Sequence, residues 1–255
     1  MRYIFAGDRD ISVWVLKDLL ECGYKPELLL VVEDKKESHR QDLIDIACLS
    51  SDLVIEGKNF LLPDTQSFMK SLNIDYIFGI HFPYIIPQKI IDIPKHGFLN
   101  LHPAYLPFNR GWHTPTWAIL EGTPIGGSLH YINAELDMGD IIHRKEVVIC
   151  TEDTANSLYL KLKNAERQAF KEMIPYLASY SLPRIPQNHI DGTSHQKNDL
   201  LKSKIQNLQL DKTLTLRELL KKLKALTTND WKEAASFEEN GTKYRLRIEI
   251  QKDRS

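Results

Sequence analysis

Residues 3–32 read YIFAGDRDISVWVLKDLLECGYKPELLLVV, and this stretch decides the fold. It begins with a short apolar run, Tyr3–Ala6, which is typical of a buried strand. The apolar residues that follow recur at helical spacing: Val13, Leu16, Leu19 and Leu20. Gly23 is a helix stop, and the continuous apolar run at 27–32 is typical of a strand covered on both faces. The stretch therefore predicts a strand, a helix and a second strand.

The same alternation continues through most of the chain. Further strands are predicted at 52–55, 76–80, 97–100, 127–132 and 139–148, and further helices at 41–49, 65–72, 114–120 and 154–180. Alternating strands and helices indicate an α/β fold with a mainly parallel sheet. We expect this domain to occupy residues 1–180.

The composition changes after Tyr180. Residues 182–198 are polar and proline-containing, which is typical of a linker. A short basic helix is predicted at 215–225, and a β-hairpin at 234–249 turns over Asn240-Gly241. We therefore expect residues 181–255 to form a linker and a small C-terminal α+β subdomain.

The composition also limits the partners and the compartment. The 255 residues carry 33 basic and 34 acidic side chains, a net charge of −1, so no global field favours nucleic acid or a membrane. The cysteines have neither disulfide nor metal-site spacing: Cys22, Cys48 and Cys150. No apolar stretch approaches the roughly 18 residues of a membrane helix, and Met1 leads directly into a strand rather than a signal peptide. We expect a cytoplasmic protein.

The most informative loop is residues 100–117, NLHPAYLPFNRGWHTPTW. Asn100 and His102 are two positions apart, so in an extended chain their side chains point to the same side. An amide donor and an imidazole aimed at one point can stabilise an oxyanion, and the imidazole can also move a proton. Pro103 and Pro107 stiffen the chain that follows.

A second polar motif, LDMGDI at residues 136–141, places two carboxylates in a turn before a strand. A carboxylate near the Asn/His pair would raise the pKa of the histidine or accept a proton from an attacking amine. No serine or cysteine lies in a nucleophile elbow, so covalent acyl catalysis is not expected. No metal is expected either, because the candidate histidines lack ligand spacing: His102, His113 and His130.

A third candidate site follows the first strand. Gly7-Asp8-Arg9 lies where ligands bind in open α/β sheets, at the carboxyl end of a strand. Arg9 can bind a phosphate or carboxylate in bidentate fashion. Neither GxGxxG nor GxxxxGK[ST] is present, which disfavours dinucleotide-binding and P-loop sites. The alternative is an ordinary turn with a solvated arginine.

Together these motifs resemble the folate-dependent formyltransferase family, whose members act on methionyl-tRNA, glycinamide ribonucleotide and sugar nucleotides. The resemblance covers about residues 1–180 and rests on three segments: NLHPAYLP at 100–107, Arg110-Gly111, and LDMGDI at 136–141. It implies a Rossmann-like domain and a catalytic triad of Asn100, His102 and Asp137. The implied reaction is direct transfer of the formyl group of N10-formyltetrahydrofolate to an amine, without a metal.

The resemblance also implies a cofactor site. The pterin is expected against the backbone of the loop after the fourth strand, around Phe82, Pro83 and Tyr84, and against the turn before Asp137. Asp140 is assigned to the shape of that turn, beside the cofactor.

Residues 110–117 are similar to the corresponding loop of dTDP-sugar N-formyltransferases. Trp112 and His113 are expected to form a wall of the hexose site, because an aromatic face suits the C–H surface of a deoxysugar. Arg110 and Tyr105 are assigned to the same acceptor side. Arg9 is expected to bind the diphosphate together with Asp8, and the alternatives are Lys89 and Lys95. The sequence does not decide which aromatic side chain stacks on the thymine, and the candidates are Tyr244, Trp231 and Tyr105.

The leading hypothesis is an enzyme that formylates dTDP-4-amino-4,6-dideoxyglucose for a lipopolysaccharide O-antigen or similar surface glycan, and that forms a homodimer. The enzyme alternatives are the 3-amino isomer as substrate, a purine-pathway enzyme acting on glycinamide ribonucleotide, and a formyl-folate hydrolase. The non-enzyme alternative is a silent sugar-nucleotide or folate-binding module.

Overall fold

The structure, a computed structural model, describes residues 1–33, 39–188, 190 and 192–253. Within them the chain divides into two compact units, each assembled from several segments. The first unit comprises residues 1–102, 127–145 and 166–187. The second comprises residues 103–126, residues 146–165 and the described residues from 188 onward.

The secondary structure follows the predicted alternation. The strands are β1 (Tyr3–Gly7), β2 (Leu28–Val31), β3 (Val54–Glu56), β4 (Tyr76–Ile80), β5 (Gly97–His102), β6 (Arg110–Gly111), β7 (Gly126–Tyr131), β8 (Ile141–Glu146), β9 (Ser194–His195), β10 (Ala235–Glu239) and β11 (Thr242–Leu246). The helices are α1 (Arg9–Glu21), α2 (Arg40–Ala47), α3 (Pro63–Ser71), α4 (Gln88–Ile91), α5 (Thr114–Glu121), α6 (Ala155–Leu177), α7 (Asp199–Lys202) and α8 (Leu216–Ala225).

The first unit is built on a sheet of seven strands among the described residues, in the order β3-β2-β1-β4-β5-β7-β8. The neighbours from β3 to β5 pair in parallel, whereas β7 runs antiparallel to β5. The α/β class with a mainly parallel sheet is therefore confirmed. The strand order reverses between β1 and β4, and the crevice at the carboxyl ends of two such strands is the usual place for a ligand.

The two faces of the sheet take alternate residues of the same strands. Tyr3 and Phe5 of β1 belong to a buried apolar cluster on one face, which α1 covers. Ile4 and Ala6 belong to a second cluster, with Phe60, on the other face. This period of two explains why the central strands are apolar throughout. Each fully buried large side chain contributes about 1.5–3 kcal/mol, so the carboxyl ends of these strands are rigidly supported.

The second unit has its own apolar clusters. One combines α5 with the part of α6 that lies in this unit, through Ile119, Leu158 and Leu162. The other includes Trp117, which is buried as a core residue, and residues of α8. A capping box between Thr215 and Glu218 begins α8. The predicted hairpin is present as the antiparallel pair β10 and β11.

Part of the predicted linker is ordered against other elements of the fold. Ser194 and His195 form the short strand β9, which pairs in parallel with β6. Two-residue strands carry no hydrophobic alternation, so the sequence alone does not reveal them. Residues 189 and 191 of the same stretch lie outside the described residues. None of the described helices has the length and apolar character that crossing a bilayer requires.

Candidate active site

The site is built at the carboxyl end of β5, in the first unit. Asn100 and His102 lie opposite His130 and Ser128 of β7 in antiparallel register. Residues directly opposite each other in such a pair share one face of the sheet, so His130 stands beside the two predicted catalytic side chains. Asp137 completes the group, because its carboxylate lies 3.5 Å from His102 Nε2 and 3.7 Å from His130 Nε2. The structure thus brings the predicted triad together around one point.

The turn that carries Asp137 is held by its backbone. Asp137 has a φ of +53°, a conformation that is costly for a residue with a side chain. The Gln187 side-chain amide donates to the carbonyl oxygens of Asp137 (2.8 Å) and Gly139 (2.7 Å). The Tyr131 N–H donates to the carbonyl of Asp140 (2.9 Å). These bonds hold the carboxylate where the sequence motif places it.

Gly139 explains why the motif contains a glycine. A Cβ atom at this position would lie 1.8 Å from the Tyr131 carbonyl oxygen, far closer than any real contact. The backbone of the turn therefore lies directly against the end of β7. Asp140 contributes its backbone carbonyl to this arrangement, and its carboxylate lies 3.6 Å from Arg184.

His130 determines the orientation of Asn100. The His130 Nδ1–H donates to its neighbour's carbonyl, that of Tyr131 (2.8 Å), so the neutral ring has a lone pair on Nε2. That lone pair accepts a hydrogen bond from the Asn100 amide nitrogen (3.1 Å). Burial lowers the pKa of His130 to about 4, since the attraction of Asp137 offsets only part of the desolvation cost and His102 adds to the lowering. The Asn100 amide keeps a second N–H for another acceptor.

Sequence reasoning missed this role of His130. The residue was considered only as a metal ligand, because nothing in the sequence shows that β7 pairs with β5 across about thirty residues. Only the register of the two strands reveals the contact.

For the formyl transfer that the sequence motifs predict, replacing His130 with leucine is expected to lower kcat roughly three- to tenfold, the usual contribution of one neutral hydrogen bond. KM for both substrates should change little, because the substitution disturbs the orientation of Asn100 rather than a contact with substrate. His130→Gln, which restores an acceptor oxygen, is expected to recover part of the rate. Steady-state kinetics check this, and equal loss in both variants would contradict a positioning role.

His102 has an unpartnered polar atom. Its Nε2 is buried and forms no hydrogen bond with any described residue. The 3.5 Å separation from the nearest Asp137 oxygen gives electrostatic attraction rather than a well-formed hydrogen bond. A buried nitrogen without a partner is costly, so this atom is available for a substrate oxygen.

The predicted cofactor loop follows β4. The rings of Phe82 and Tyr84 pack with each other (centroids 4.9 Å apart) and against Phe60. Both side chains are therefore packing residues, which fits a cofactor contact made by the backbone. The loop leaves Ile85 92% exposed, and the turn before Asp137 leaves Leu136 61% exposed. An exposed apolar side chain in each loop suits a flat ring such as a pterin.

The loop after β1 stands at the same edge of the sheet. Asp8 is buried, and its N–H donates to Ser12 Oγ (3.0 Å) and to the carbonyl of Ile80 (3.3 Å). The side chain of Arg9 is 61% exposed and lies 3.5 Å from the Asp8 carboxylate. Of the alternatives for the diphosphate, Lys95 precedes β5 and so lies at the amino edge of the sheet, and Lys89 is on α4.

The predicted acceptor residues belong to the second unit. Arg110 is buried in β6, and Trp112 is half exposed with Lys197 Nζ 4.8 Å above its ring. His113 is held on both sides, by Glu233 (3.3 Å) and by the carbonyl of Lys197 (3.1 Å). The hydrogen bond with Glu233 raises the pKa of His113. The exposed aromatic face in this segment is therefore that of Trp112.

The proposed thymine platforms are also in the second unit. Trp231 and Tyr244 are half exposed, whereas Tyr105 is partly buried. The ring of Trp231 is covered by the Arg247 guanidinium at 4.0 Å, and Tyr244 stacks on Phe237 at 5.3 Å. Across the part of the chain that the structure describes, no group of three or more His, Cys, Asp or Glu side chains is arranged to hold a metal ion.

Comparisons with known proteins identify formyltransferases as similar to this chain. A methionyl-tRNA formyltransferase from Geobacillus sp. is 30% identical over 199 residues, which are 76% of this chain and 63% of that protein. The chain thus spans slightly less than two thirds of that relative. A sugar N-formyltransferase from Shewanella sp. has the same fold, with a TM-score of 0.81 at 21% identity over 100% of this chain and 99% of that chain.

Two further solved structures carry ligands. A formyltransferase from Anoxybacillus kamchatkensis, in complex with UDP-4,6-dideoxy-4-formamido-L-AltNAc and tetrahydrofolate, has a TM-score of 0.59 at 26% identity over 88% of this chain and 97% of that chain. An N-formyltransferase from Helicobacter canadensis, in complex with folinic acid and dTDP-3-aminofucose, has a TM-score of 0.72 at 21% identity over 94% of this chain and 85% of that chain.

Two family models match the chain itself. Residues 202–252 match the N-formyltransferase dimerization C-terminal domain. Residues 28–174, more than half of the chain, match the model described as formyl transferase and include the whole group of Asn100, His102, His130 and Asp137. The chain belongs to the formyl transferase family.

Proposed function

We propose that this protein transfers the formyl group of N10-formyltetrahydrofolate to the amine of a nucleotide-linked amino-dideoxyhexose, and that the substrate is dTDP-4-amino-4,6-dideoxyglucose. One observation carries the proposal. The Asn100 amide, oriented by His130, and the unpartnered His102 Nε2 lie beside the carboxylate of Asp137.

The folate supplies an activated formyl group, and the chain supplies donors and a base. Asn100 and His102 are placed to donate hydrogen bonds to the formyl oxygen as it gains negative charge. Asp137 stabilises His102 and is placed to take the proton that the amine loses as it attacks. The bond between the formyl carbon and N10 would then break, and tetrahydrofolate would leave with that proton on N10. The loop at residues 82–84 and the turn before Asp137 would hold the pterin, since each presents an exposed apolar side chain beside its backbone.

A sugar nucleotide is favoured over tRNA as the acceptor. The match of residues 202–252 to the N-formyltransferase dimerization C-terminal domain supports a homodimer, and the Anoxybacillus structure, with its bound UDP-sugar, supports a sugar acceptor. The exposed ring of Trp112 supports a deoxyhexose, whose C–H face packs on aromatic rings. The Anoxybacillus structure supports a 4-amino position, and the Helicobacter structure keeps the 3-amino isomer as second candidate. The product would enter a surface glycan such as an O-antigen, and the reaction would take place in the cytoplasm.

The experiment is an acceptor panel with N10-formyltetrahydrofolate, read by mass spectrometry. The panel contains dTDP-4-amino-4,6-dideoxyglucose, its 3-amino isomer, glycinamide ribonucleotide and initiator methionyl-tRNA. We expect the first to gain one formyl group at the highest kcat/KM. Formylation of the tRNA or the ribonucleotide in preference to both sugars would contradict the proposal.

An arm without acceptor completes the design. Formate released at the same rate with and without an amino sugar would identify a hydrolase. Folate binding with no turnover in any arm would identify a silent binding module.

A further inference from the structure

The backbone on both sides of Trp112 has an uncommon conformation. Its neighbours Gly111 and His113 have φ angles of +89° and +57°, so the chain turns sharply before and after the tryptophan. His113 is not a glycine, and the left-handed conformation is therefore costly for it. The indole of Trp112 nevertheless stays 46% exposed. Backbone strain that presents a large apolar ring to solvent indicates a functional surface rather than a packing residue.

His113 bridges two segments that lie far away in sequence, both in the second unit. Its Nε2–H donates to the carbonyl of Lys197 (3.1 Å), and its Nδ1 lies 3.3 Å from the carboxylate of Glu233. A carbonyl and a carboxylate both accept hydrogen bonds, so a ring that satisfies the two carries a proton on each nitrogen. The hydrogen bond with Glu233 raises the pKa of His113 and so favours this charged form.

The bridge holds the residue that covers Trp112. Lys197 Nζ lies 4.8 Å from the centre of the indole, above one face of the ring. Among the described side chains the ammonium has no carboxylate partner, and the cation–π attraction to the indole is its contact. Because His113 binds the carbonyl of Lys197, this side chain starts from a fixed point. One face of the indole is thus covered, and the opposite face is left for a ligand.

Other histidine–glutamate pairs have a different setting. In the first unit, His81 pairs with Glu166, which is fully buried on α6, and His143 pairs with Glu172 on the surface. Of the three histidines, His113 is the one that directly follows a half-exposed tryptophan. The bridge at His113 therefore affects how an aromatic ring is presented to solvent, and not packing alone.

We propose that Lys197 and Glu233 determine specificity for the acceptor, and that both act through Trp112. Lys197 orients the indole and covers one of its faces, and Glu233 keeps Lys197 in place through His113. All three are positioning residues for the indole. The ligand class is a saturated ring with an apolar C–H face, such as a deoxyhexose, which packs on the open face. The identity of this ligand rests on the proposed function, whereas the bridge itself does not.

The first test is Lys197→Met, which keeps the aliphatic stem and removes the ammonium. An exposed cation–π contact changes an affinity about two- to fivefold, so we expect KM for the amino-sugar acceptor to rise by that factor. KM for N10-formyltetrahydrofolate and kcat should not change, because the lysine touches neither the cofactor nor the reacting atoms. Lys163→Met is the matched control, since Lys163 lies 5.4 Å from the centre of the Tyr159 ring in the same unit.

A Trp112→Leu background shows whether the lysine acts through the indole. Trp112→Leu should itself raise the acceptor KM, and Lys197→Met should then add nothing, because the ring that it orients is absent. A further rise in the double variant would contradict the positioning role. An unchanged acceptor KM in Lys197→Met, or an equal rise for both substrates, would also contradict it.

Glu233→Gln tests the bridge through its pH dependence. The charged groups that act on His113 are Glu233 and Lys197. Below the raised pKa of His113 the wild type has the ion pair and the variant lacks it, so the acceptor KM should be roughly three- to tenfold higher in the variant. Above this pKa the wild-type ring is neutral too, and the ratio of the two KM values should fall toward one. A ratio that does not change with pH would contradict the role of Glu233. Glu172→Gln, which breaks the surface pair with His143, is the control.

An NMR titration of the imidazoles separates the bridge from the proposed function, because it needs no acceptor. The resonance of His113, assigned by its absence from the spectrum of His113→Gln, should titrate at lower pH in Glu233→Gln than in the wild type. An unchanged titration would overturn the bridge. A shifted titration in a protein that formylates no amino sugar would contradict the proposed function and leave the bridge intact.

Discussion

His102→Asn is expected to lower kcat for formyl transfer roughly a hundred- to a thousandfold, with KM for both substrates within a few-fold of the wild type. The reason is that His102 Nε2 is buried without a hydrogen-bond partner among the described residues, so in the proposed mechanism its hydrogen bond forms only with the substrate. Asparagine is shorter and uncharged, and it neither reaches the same point nor responds to Asp137. Initial rates of formyl transfer at saturating concentrations measure the effect.

The combination with Asp137→Asn sharpens this test. Because the two side chains lie 3.5 Å apart and Asp137 acts partly by stabilising His102, their losses should not add. We expect the double variant to be little slower than the slower single variant. His96→Asn is the control, since His96 stacks on Tyr180 before β5 begins, at the other edge of the sheet. Near wild-type kcat in His102→Asn would contradict the mechanism.

Gly139→Ala is expected to abolish measurable turnover and to destabilise the first unit by about 3 kcal/mol, at the upper end of overpacking effects. The added Cβ would meet the Tyr131 carbonyl at 1.8 Å, and a backbone atom of a sheet strand cannot give way. The turn must then move, and Asp137 moves with it. Thermal unfolding and kcat, measured on the same preparation, separate the two effects.

Gly122→Ala is the matched control for this substitution. Gly122 has a φ of +72°, but a Cβ there would meet no atom within 4 Å. The control therefore carries the conformational cost of about 1 kcal/mol without any clash. We expect a small loss of stability and unchanged kcat. A Gly139→Ala protein that behaves like this control would show that the turn does not position Asp137.

The sequence predicted the frame of the first unit well, for identifiable reasons. The central strands are apolar on both faces, and such continuous apolar runs are recognisable without knowing which strands pair with them. Asn100 and His102 were recognisable as a pair because side chains two positions apart point to the same side of any strand. Asp137 required the resemblance, because nothing in the residues themselves relates the turn at 136–141 to the loop at 100–107.

The supporting residues could not be predicted in the same way. His130, Gln187 and Glu166 contact residues far away in sequence, and each has an ordinary local pattern. Gln187 lies in a polar stretch that is typical of a linker, yet its amide is buried against the turn. Glu166 lies on a long amphipathic helix, where a charged residue is expected to face solvent. Long-range register and burial, rather than local propensity, determine these roles.

The two hydrogen bonds from Gln187 have a consequence for the synthesis of the protein. The turn that carries Asp137 gains these two bonds only when a residue fifty positions later has docked, so the nascent chain contains Asn100, His102 and Asp137 well before the turn is fully held. For the same reason, we expect a protease cut between Leu177 and Gln187 to leave Asn100, His102 and Asp137 in place yet to loosen the turn. We therefore expect the geometry of this site to depend on an uncut polypeptide between the end of α6 and Gln187.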